Sequence, residues 1–245
     1  MLAYVHEFVF GIYPYICASV FLLGSLIRFD REQYTWRSGS SQLLRKRQLR
    51  WGSNLFHVGI LFLFFGHFVG MLTPHWAYEW QISAGGKQVM AMASGGTAGL
   101  ICFVGLSMLL HRRLVDPRIR ATSSMMDIAI LAILWVQLVL GLVTIPFSGQ
   151  HLDGSTMVLL AEWAQHIVTL RLDAAGLVAG VPLVFKLHMA LGMTIFLLFP
   201  FGRLVHVWSA PIWYVFRSPQ VVRARGNGRA AAARAAGAGP FGARG

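Results

Sequence analysis

The sequence predicts an all-α membrane protein with five transmembrane helices, its N-terminus outside and its C-terminus in the cytoplasm. Three observations support this prediction. Of the 245 residues, 56% are hydrophobic and only 12% are charged, whereas a soluble domain has about 25% charged residues. Several apolar runs reach about twenty residues, enough to cross a bilayer. The basic residues lie mainly on one side of these runs. Composition therefore excludes an ordinary soluble domain and a disordered chain.

Five apolar stretches are long enough to cross ~30 Å of hydrocarbon at ~1.5 Å per helical residue. The predicted spans, numbered first to fifth, are residues 8–27, 52–72, 89–110, 125–146 and 183–207. The first is not a cleavable signal peptide, because acidic Glu7 precedes it and its apolar run is too long. Pro14 lies in its first turns, where a missing N–H is tolerated. Pro200 is expected to kink the fifth span, which would otherwise continue as one helix to residue 207.

The orientation follows from the distribution of basic residues. Lys and Arg number 21 against 9 Asp and Glu. Connectors 28–51 and 111–124 and the C-terminal part carry seven, four and seven basic residues, whereas the opposite side carries only Lys87, Arg171 and Lys186. Positively charged loops stay in the cytoplasm. The net charge of +12 is therefore mainly a topology signal, and no nucleic-acid partner is needed to explain it.

The remaining segments indicate one membrane domain and a tail. Residues 1–225 form the predicted membrane domain, and 226–245 form an Ala/Gly/Arg-rich, low-complexity tail that we expect to be disordered. Residues 155–170 have helical apolar spacing and are expected to lie on the outer interface. Cys17 and Cys102 both lie in apolar runs, which disfavours a disulfide framework or a cysteine metal site.

Four of the nine histidines lie within or at the ends of predicted spans. His57 and His67 are on the second span, and His188 and His206 are on the fifth. A polar ring in hydrocarbon is costly without a partner, so such residues are functional candidates. A single histidine is more often a structural hydrogen-bonding group, but two on each of two helices favour ligation. His6, His75, His111, His151 and His166 are expected to be solvated or interfacial.

Membrane depth pairs these four histidines across the two spans. The second span runs outward and the fifth runs inward, so His67 is level with His188, and His57 with His206. On the fifth span, positions 188 and 206 are five turns apart at ~3.6 residues per turn, so both rings are expected to share one face. Two imidazoles without a nearby thiolate or carboxylate fit the axial ligation of haem b better than zinc. No C-x-x-C-H motif for c-type attachment occurs.

Small residues lie one turn from each of these histidines. They are Ser53, Gly70, Gly192 and Gly202, and they are expected where a porphyrin edge approaches a helix, although helix packing alone explains them equally well.

Lys87 is the only basic residue of connector 73–88. It is either a cation that binds a haem propionate or a quinol oxygen, or an interfacial lysine that snorkels to the surface.

Several strings of this sequence closely resemble the gamma subunit of membrane-bound respiratory nitrate reductase. They are IYPYI, RFDREQYTWRSGSSQLL, SNLFHVGILFLFFGHFVGMLTPHW, VTIPFS, QHLDGS and KLHMALGMTIFLLFPFGRLVHVWS. The likeness extends to about residue 225, and only the tail lacks it. The histidine spacings H-x9-H and H-x17-H within five spans are specific to this resemblance.

The resemblance implies a dihaem cytochrome b in the bacterial cytoplasmic (inner) membrane. His67 and His188 would bind the distal haem, and His57 and His206 the proximal one. Lys87 and Gly66 match the family's quinol pocket, although the two glycines of AGGKQVMAM depart from its usual loop. Quinol, either menaquinol or ubiquinol, would be oxidised outside. Electrons would pass through two haems b to an iron–sulfur beta subunit and a molybdenum-cofactor alpha subunit, making the chain part of a quinol:nitrate oxidoreductase and its membrane anchor.

Other functions are compatible with the histidines alone. The chain could be the dihaem anchor of a different quinone-linked oxidoreductase, a His-lined transporter or a passive anchor. Against transport, the spans hold few acidic residues, with Glu7 and Asp127 near ends, no repeat is obvious, and no unwound Gly-rich stretch is expected in the fifth span. The aromatic and basic residues of the cytoplasmic side, among them Tyr34, Trp36, Trp208, Trp213 and Tyr214, are expected to dock the iron–sulfur subunit. The alternative is that these charges only set topology and contact anionic lipid.

Overall fold

Five long apolar helices dominate the computed structural model, which describes residues 1–36, 44, 46–210 and 216–218. The helices capable of crossing a membrane are Leu2–Arg31, Lys46–Leu72, Ala84–Val115, Met125–Ser148 and Leu183–Phe201. They are called the first to fifth spans below. The predicted class, an all-α protein with five spans, is confirmed. Residues Met1–Trp208 form one compact unit. The predicted tail 226–245 and the aromatic residues Trp213 and Tyr214 lie outside the described residues.

The first span is longer than its apolar core and contains one wider turn. It begins at Leu2 rather than at residue 8, and residues Phe8–Ile12 form a π-helical turn just before Pro14. Proline cannot donate to the carbonyl four residues earlier, and its ring crowds that carbonyl. This carbonyl belongs to Phe10, and it instead accepts a hydrogen bond from the indole Nε1 of Trp163 at 3.0 Å. The proline therefore opens a site for contact with a distant segment.

Consecutive spans from the second to the fifth are neighbours in the bundle, whereas the first span packs on the fifth instead of on the second. The second packs on the third, the third on the fourth, the fourth on the fifth, and the fifth on the first. Glycines allow the closest approach, because a Cβ at Gly59 would lie 2.6 Å from the Cβ of Cys102. At Gly24, a Cβ would lie 2.8 Å from Cγ of Pro200. The second and fifth spans make few direct backbone contacts, and their histidines face each other across the intervening space.

A helix between the fourth and fifth spans, Ser155–Val168, packs against the bundle. Its Trp163 is buried in a core with Phe10, Cys17 and Phe185. The side chain of Gln165 donates from Nε2 to the carbonyl of Met71 at 2.9 Å, which holds the helix on the end of the second span. The prediction of a helix here is confirmed. The helix does more than lie on the outer interface, because its buried Trp163 packs into one end of the bundle.

The fifth span ends earlier than the apolar sequence predicts. Its α-helix runs over Leu183–Leu198 and is followed by a 3₁₀ turn, Phe199–Phe201. Gly202 is then fully extended at φ −109° and ψ −172°, and a separate 3₁₀ helix covers Arg203–Ser209. The expected interruption at Pro200 is confirmed, but the predicted end of the span at residue 207 is wrong, because Pro200 and the extended Gly202 stop the α-helical hydrogen bonding earlier. His206 therefore lies on its own short helix.

Candidate functional site

The structure brings the four span histidines together as two pairs. The ring centres of His67 and His188 are 6.2 Å apart. The ring centres of His57 and His206 are also 6.2 Å apart. In each pair one ring comes from the second span and the other from the fifth span or the short helix after it. These are the same partners that membrane depth predicts, even though His206 does not share a helix face with His188.

Three of these rings are oriented by the backbone immediately before them. Nδ1 of His57 donates to the carbonyl of Ser53 at 2.7 Å. Nδ1 of His67 donates to that of Leu63 at 2.8 Å, and Nδ1 of His206 donates to that of Arg203 at 2.6 Å. A carbonyl only accepts, so Nδ1 carries the hydrogen, and Nε2 of the neutral ring keeps a free lone pair. This is the tautomer that metal-binding histidines adopt when they bind through Nε2.

His188 is held differently, by the neighbouring fourth span. Its Nδ1 donates to the backbone carbonyl of Gln137 at 3.2 Å. The side-chain amide of Gln137 lies 3.4 Å from Nε2 of the same ring, where it is the donor. A Cβ at Gly141 would lie 2.9 Å from Cε1 of His188, so only glycine leaves room for the ring there. Gln137 and Gly141 were not predicted as site residues. The polar Gln137 at mid-span was the available signal.

The separation within each pair fits one metal ion between two rings. An imidazole nitrogen binds such a metal at about 2 Å, and each ring centre lies about 1 Å farther, so opposed rings have centres about 6 Å apart. In the part of the chain that the structure describes, no group of three or more His, Cys, Asp or Glu residues is placed to hold a metal. The protein thus offers two nitrogens per site. A metal that needs more ligands must bring them in its own macrocycle, as haem does.

The small residues near the histidines differ in what they face. A Cβ at Gly66 or Gly70, on either side of His67, would meet nothing within 4 Å. This helix surface has room for a large planar group. By contrast, a Cβ at Gly192 would lie 3.1 Å from Nε2 of Gln137, and one at Gly202 would lie 3.3 Å from Cγ1 of Ile130. Gly192 and Gly202 therefore serve the packing of the fourth and fifth spans.

Lys87 is buried in the first turn of the third span, with 9% of its surface exposed. Its Nζ lies 3.7 Å from the ring centre of Tyr78, a cation–π contact. Among the residues that the structure describes, Nζ has no hydrogen-bond acceptor. A lysine that only snorkels to the surface would direct its ammonium to water. This one keeps donors available inside the protein.

Two acidic residues, Glu79 and Glu162, act on Tyr78, the aromatic ring that Lys87 contacts. Burial raises the pKa of Tyr78 above its ordinary value, and the negative charges of Glu79 and Glu162 raise it further. The phenol therefore stays protonated at neutral pH. His75 contacts Glu79 at 2.8 Å between Nδ1 and Oε2.

The remaining histidines lie outside the two pairs. Nε2 of His6 contacts the carbonyl of Ala175 at 2.8 Å, and Nδ1 of His166 contacts Oδ1 of Asp173 at 2.9 Å. Each of these rings, like that of His75, contacts a backbone carbonyl or a carboxylate instead of a second histidine.

At the opposite end of the bundle, charged side chains surround the base of the fourth span. Nε of Arg203 lies 3.0 Å from Oδ1 of Asp127, and Nη1 of Arg113 lies 3.8 Å from Oδ2 of the same carboxylate. Burial lowers the pKa of the Arg203 guanidinium, the positive charge of Arg113 lowers it further, and Asp127 opposes this. Arginine nevertheless stays charged. Asp127, notable in the sequence only for its place near a span end, is thus part of a partly buried ionic cluster.

The fold and the paired histidines define a helical protein with five candidate membrane spans and two pairs of facing histidine rings. Residues 6–225 match the sequence profile of the nitrate reductase gamma subunit family, and the chain belongs to that family. It is 56% identical over 225 residues to the respiratory nitrate reductase 2 gamma chain of Escherichia coli K12, covering 92% of this chain and 100% of the relative.

Two further relatives have similar coverage. The respiratory nitrate reductase 1 gamma chain of E. coli K12 is 54% identical over 222 residues, covering 91% of this chain and 99% of the relative. The nitrate reductase gamma chain of Bacillus subtilis 168 is 40% identical over 222 residues, covering 89% of this chain and 98% of the relative. The protein is thus a membrane subunit of a multi-subunit respiratory nitrate reductase, an oxidoreductase complex.

Proposed function

We propose that this subunit oxidises quinol at the outer face of the bacterial inner membrane. Two b haems held by this chain would supply the one-electron chemistry that links quinol to the iron–sulfur and molybdenum subunits, which the chain also anchors to the membrane. His67 and His188 would hold the distal haem, and His57 and His206 would hold the proximal haem. The single observation that carries the proposal is the pair of 6.2 Å separations between opposed histidine rings.

The residues present fit a haem b held between the two rings of each histidine pair. A bound haem supplies reversible one-electron chemistry. The protein's own contribution is to hold each imidazole in one tautomer. The carbonyls of Ser53, Leu63, Arg203 and Gln137 do this by accepting from Nδ1. Such hydrogen bonds orient the ring and make the opposite nitrogen a better ligand.

Lys87 is the proposed quinol-binding residue, together with the open surface at Gly66. A quinol headgroup is polar and planar, and it enters from the bilayer. The buried ammonium of Lys87 is able to donate a charge-assisted hydrogen bond to a quinol oxygen. Its contact with the ring of Tyr78 at 3.7 Å holds it in place without using up its donors.

The proposed direction of transfer stores energy in the membrane. Protons leave the quinol on the outer side while electrons move inward. The charge separation is worth about 2.3 kcal/mol per elementary charge per 100 mV. This polarity rests on the basic residues, which favour a cytoplasmic location for connectors 28–51 and 111–124.

The proposed docking surface for the iron–sulfur subunit is the cytoplasmic end near His57 and His206. Tyr34 and Trp208 are 97% and 53% exposed there. Two of the arginines counted for this surface, Arg112 and Arg113, are buried and contribute to the interior. Among the described residues of connectors 28–51 and 111–124, the exposed basic residues left for docking are Arg31, Lys46, Arg47, Arg50, Arg118 and Arg120.

A difference spectrum and one substitution test the proposal. The purified wild-type complex should show bis-histidine b-haem bands in a dithionite-reduced minus oxidised spectrum. Lys87→Ala should lower quinol-dependent turnover and weaken the binding of quinol-analogue inhibitors. Both haems should remain, and so should activity with an artificial donor to the partner subunits. Lys186→Ala is the control, because Lys186 is a second lysine on the same side whose Nζ donates to the carbonyl of Ala179 at 2.7 Å.

Each part of the proposal has its own negative result. Absence of haem bands from freshly isolated wild-type protein would exclude the dihaem function. Full quinol turnover and inhibitor affinity in Lys87→Ala would leave the haems in place but remove Lys87 from the quinol site.

A further inference from the structure

His206 depends on distant residues for its position. It lies on the short helix Arg203–Ser209, beyond the end of the fifth α-helix at Leu198 and the extended Gly202. An α-helix holds its residues by a continuous ladder of backbone hydrogen bonds, which is interrupted here. The last carbonyls of a helix also lack partners in their own helix. The segment that carries His206 therefore needs external contacts to adopt one conformation.

Arg28, at the end of the first span, supplies contacts on one side. Its Nη1 donates to the carbonyls of Pro200 at 2.5 Å and Gly202 at 2.9 Å. The other terminal nitrogen, Nη2, donates to the carbonyl of Thr35 at 2.9 Å. The Arg28 guanidinium thus links the carbonyls of Pro200 and Gly202, where the fifth helix is interrupted, to the carbonyl of Thr35 after the first span. A lysine could not reproduce this planar, multidentate arrangement.

Asp127, in the first turn of the fourth span, supplies the contact on the other side. Its Oδ1 lies 3.0 Å from Nε of Arg203. The carbonyl of Arg203 accepts from Nδ1 of His206 at 2.6 Å. The carboxylate itself is fixed, because its Oδ2 accepts from the backbone N–H of Ser124 at 3.2 Å in a capping box. A short chain of contacts therefore runs from the fourth span to the His206 ring.

We propose that Arg28 and Asp127 are positioning residues for His206, and that these two contacts set the orientation of the ring that completes the proximal site. The inference rests on the proposed function, in that His206 is taken as a haem ligand. It gives Arg28 a specific role beyond the positive charge that orients the membrane spans. It also predicts that the two sites differ, because the distal pair does not depend on these contacts.

The test compares Arg28→Gln and Asp127→Asn with two controls in the complete complex. Arg31→Gln and Asp30→Asn make the same charge changes at the same end of the first span. Arg31 and Asp30 form an exposed pair, with side chains 80% and 78% accessible. Visible redox titration measures the two haems separately, and hydrogen exchange by mass spectrometry follows residues 199–209.

Both test variants should weaken the retention of the proximal haem by roughly 10-fold to 100-fold, the usual effect of removing a residue that supports a metal ligand. The distal haem should be unchanged. Exchange in residues 199–209 should rise, and both controls should behave as wild type. Arg28→Lys keeps the charge and should still show the defect, which separates positioning from membrane orientation.

A native proximal haem and native exchange in both test variants would overturn the inference and leave the dihaem proposal intact. Loss of both haems together in both variants would also overturn it, because the effect would then be global. If Arg28→Gln does not accumulate in the membrane, Arg28→Lys and Asp127→Asn decide the question by the same measurements. Absence of haem from the wild type would instead remove the proposed function.

Discussion

Replacing Gly141 by alanine should perturb the distal site selectively. The added Cβ would lie 2.9 Å from Cε1 of His188, 3.5 Å from Nδ1 and 3.7 Å from Nε2. Two carbon atoms at optimal separation are about 3.5–4.0 Å apart. The ring of His188 must therefore retreat by about 0.6–1 Å, or the fourth span must move away by a similar distance.

The expected loss of distal-haem retention follows from how far the His188 ring can move while still binding a metal. A metal–nitrogen bond is about 2 Å and does not stretch by this amount. Movement of the ring also breaks the 3.2 Å hydrogen bond from its Nδ1 to Gln137. Overpacking of this kind costs about 1–3 kcal/mol, which corresponds to about 5-fold to 150-fold in an equilibrium constant. We expect Gly141→Ala to weaken distal-haem retention by that factor and to leave the proximal haem in place.

The assay is a visible redox titration of membranes that contain the complete complex, with haem content per complex measured in parallel. Gly149→Ala is the matched control. It lies at the end of the same helix, and its Cβ would meet its nearest neighbour, the carbonyl oxygen of Pro146, at an ordinary 3.5 Å. If Gly141→Ala retains both haems with wild-type potentials, the reasoning from this contact is refuted.

Three further predictions follow from the site. Substituting His67 or His188 by alanine should remove the same haem, and loss of different spectral components would refute the pairing. Tyr78→Phe should keep quinol turnover and Tyr78→Leu should lower it, because phenylalanine preserves the cation–π contact. Since the pKa of Tyr78 is raised, its phenol stays protonated above the pH at which free tyrosine ionises. Tyr78→Phe should then leave the pH profile of turnover unchanged at and below neutrality. Charge reversal of exposed Arg118 and Arg120 should reduce copurification with the partner subunits, and unchanged recovery would exclude docking through these charges.

The number of spans and the four histidines of interest could be predicted from sequence because each depends on local properties. Hydropathy over about twenty residues decides whether a segment can cross a bilayer. The depth of a residue in a span depends on its distance along the helix from the span end. Depth alone therefore predicted that His67 lies near His188 and His57 near His206, and the ring separations agree.

The end of the fifth helix illustrates what sequence left open. Pro200 indicated an irregularity, but not that the α-helix stops at Leu198. The stopping point depends on a partner for the unpaired carbonyls, and that partner is Arg28, more than 170 positions earlier in the chain. In the sequence, this arginine counted only as one of many basic residues that orient the spans.

The surroundings of His188 also depend on segments distant in the sequence, so they were decided by the tertiary structure. Gln137 and Gly141 reach His188 only because the fourth and fifth spans pack side by side. The order in which helices pack depends on how their surfaces fit, and glycine positions such as Gly59 set those distances. Hydropathy and residue spacing describe each helix separately. The choice of neighbours arises from side-chain packing between segments distant in sequence, so only the folded chain determines it.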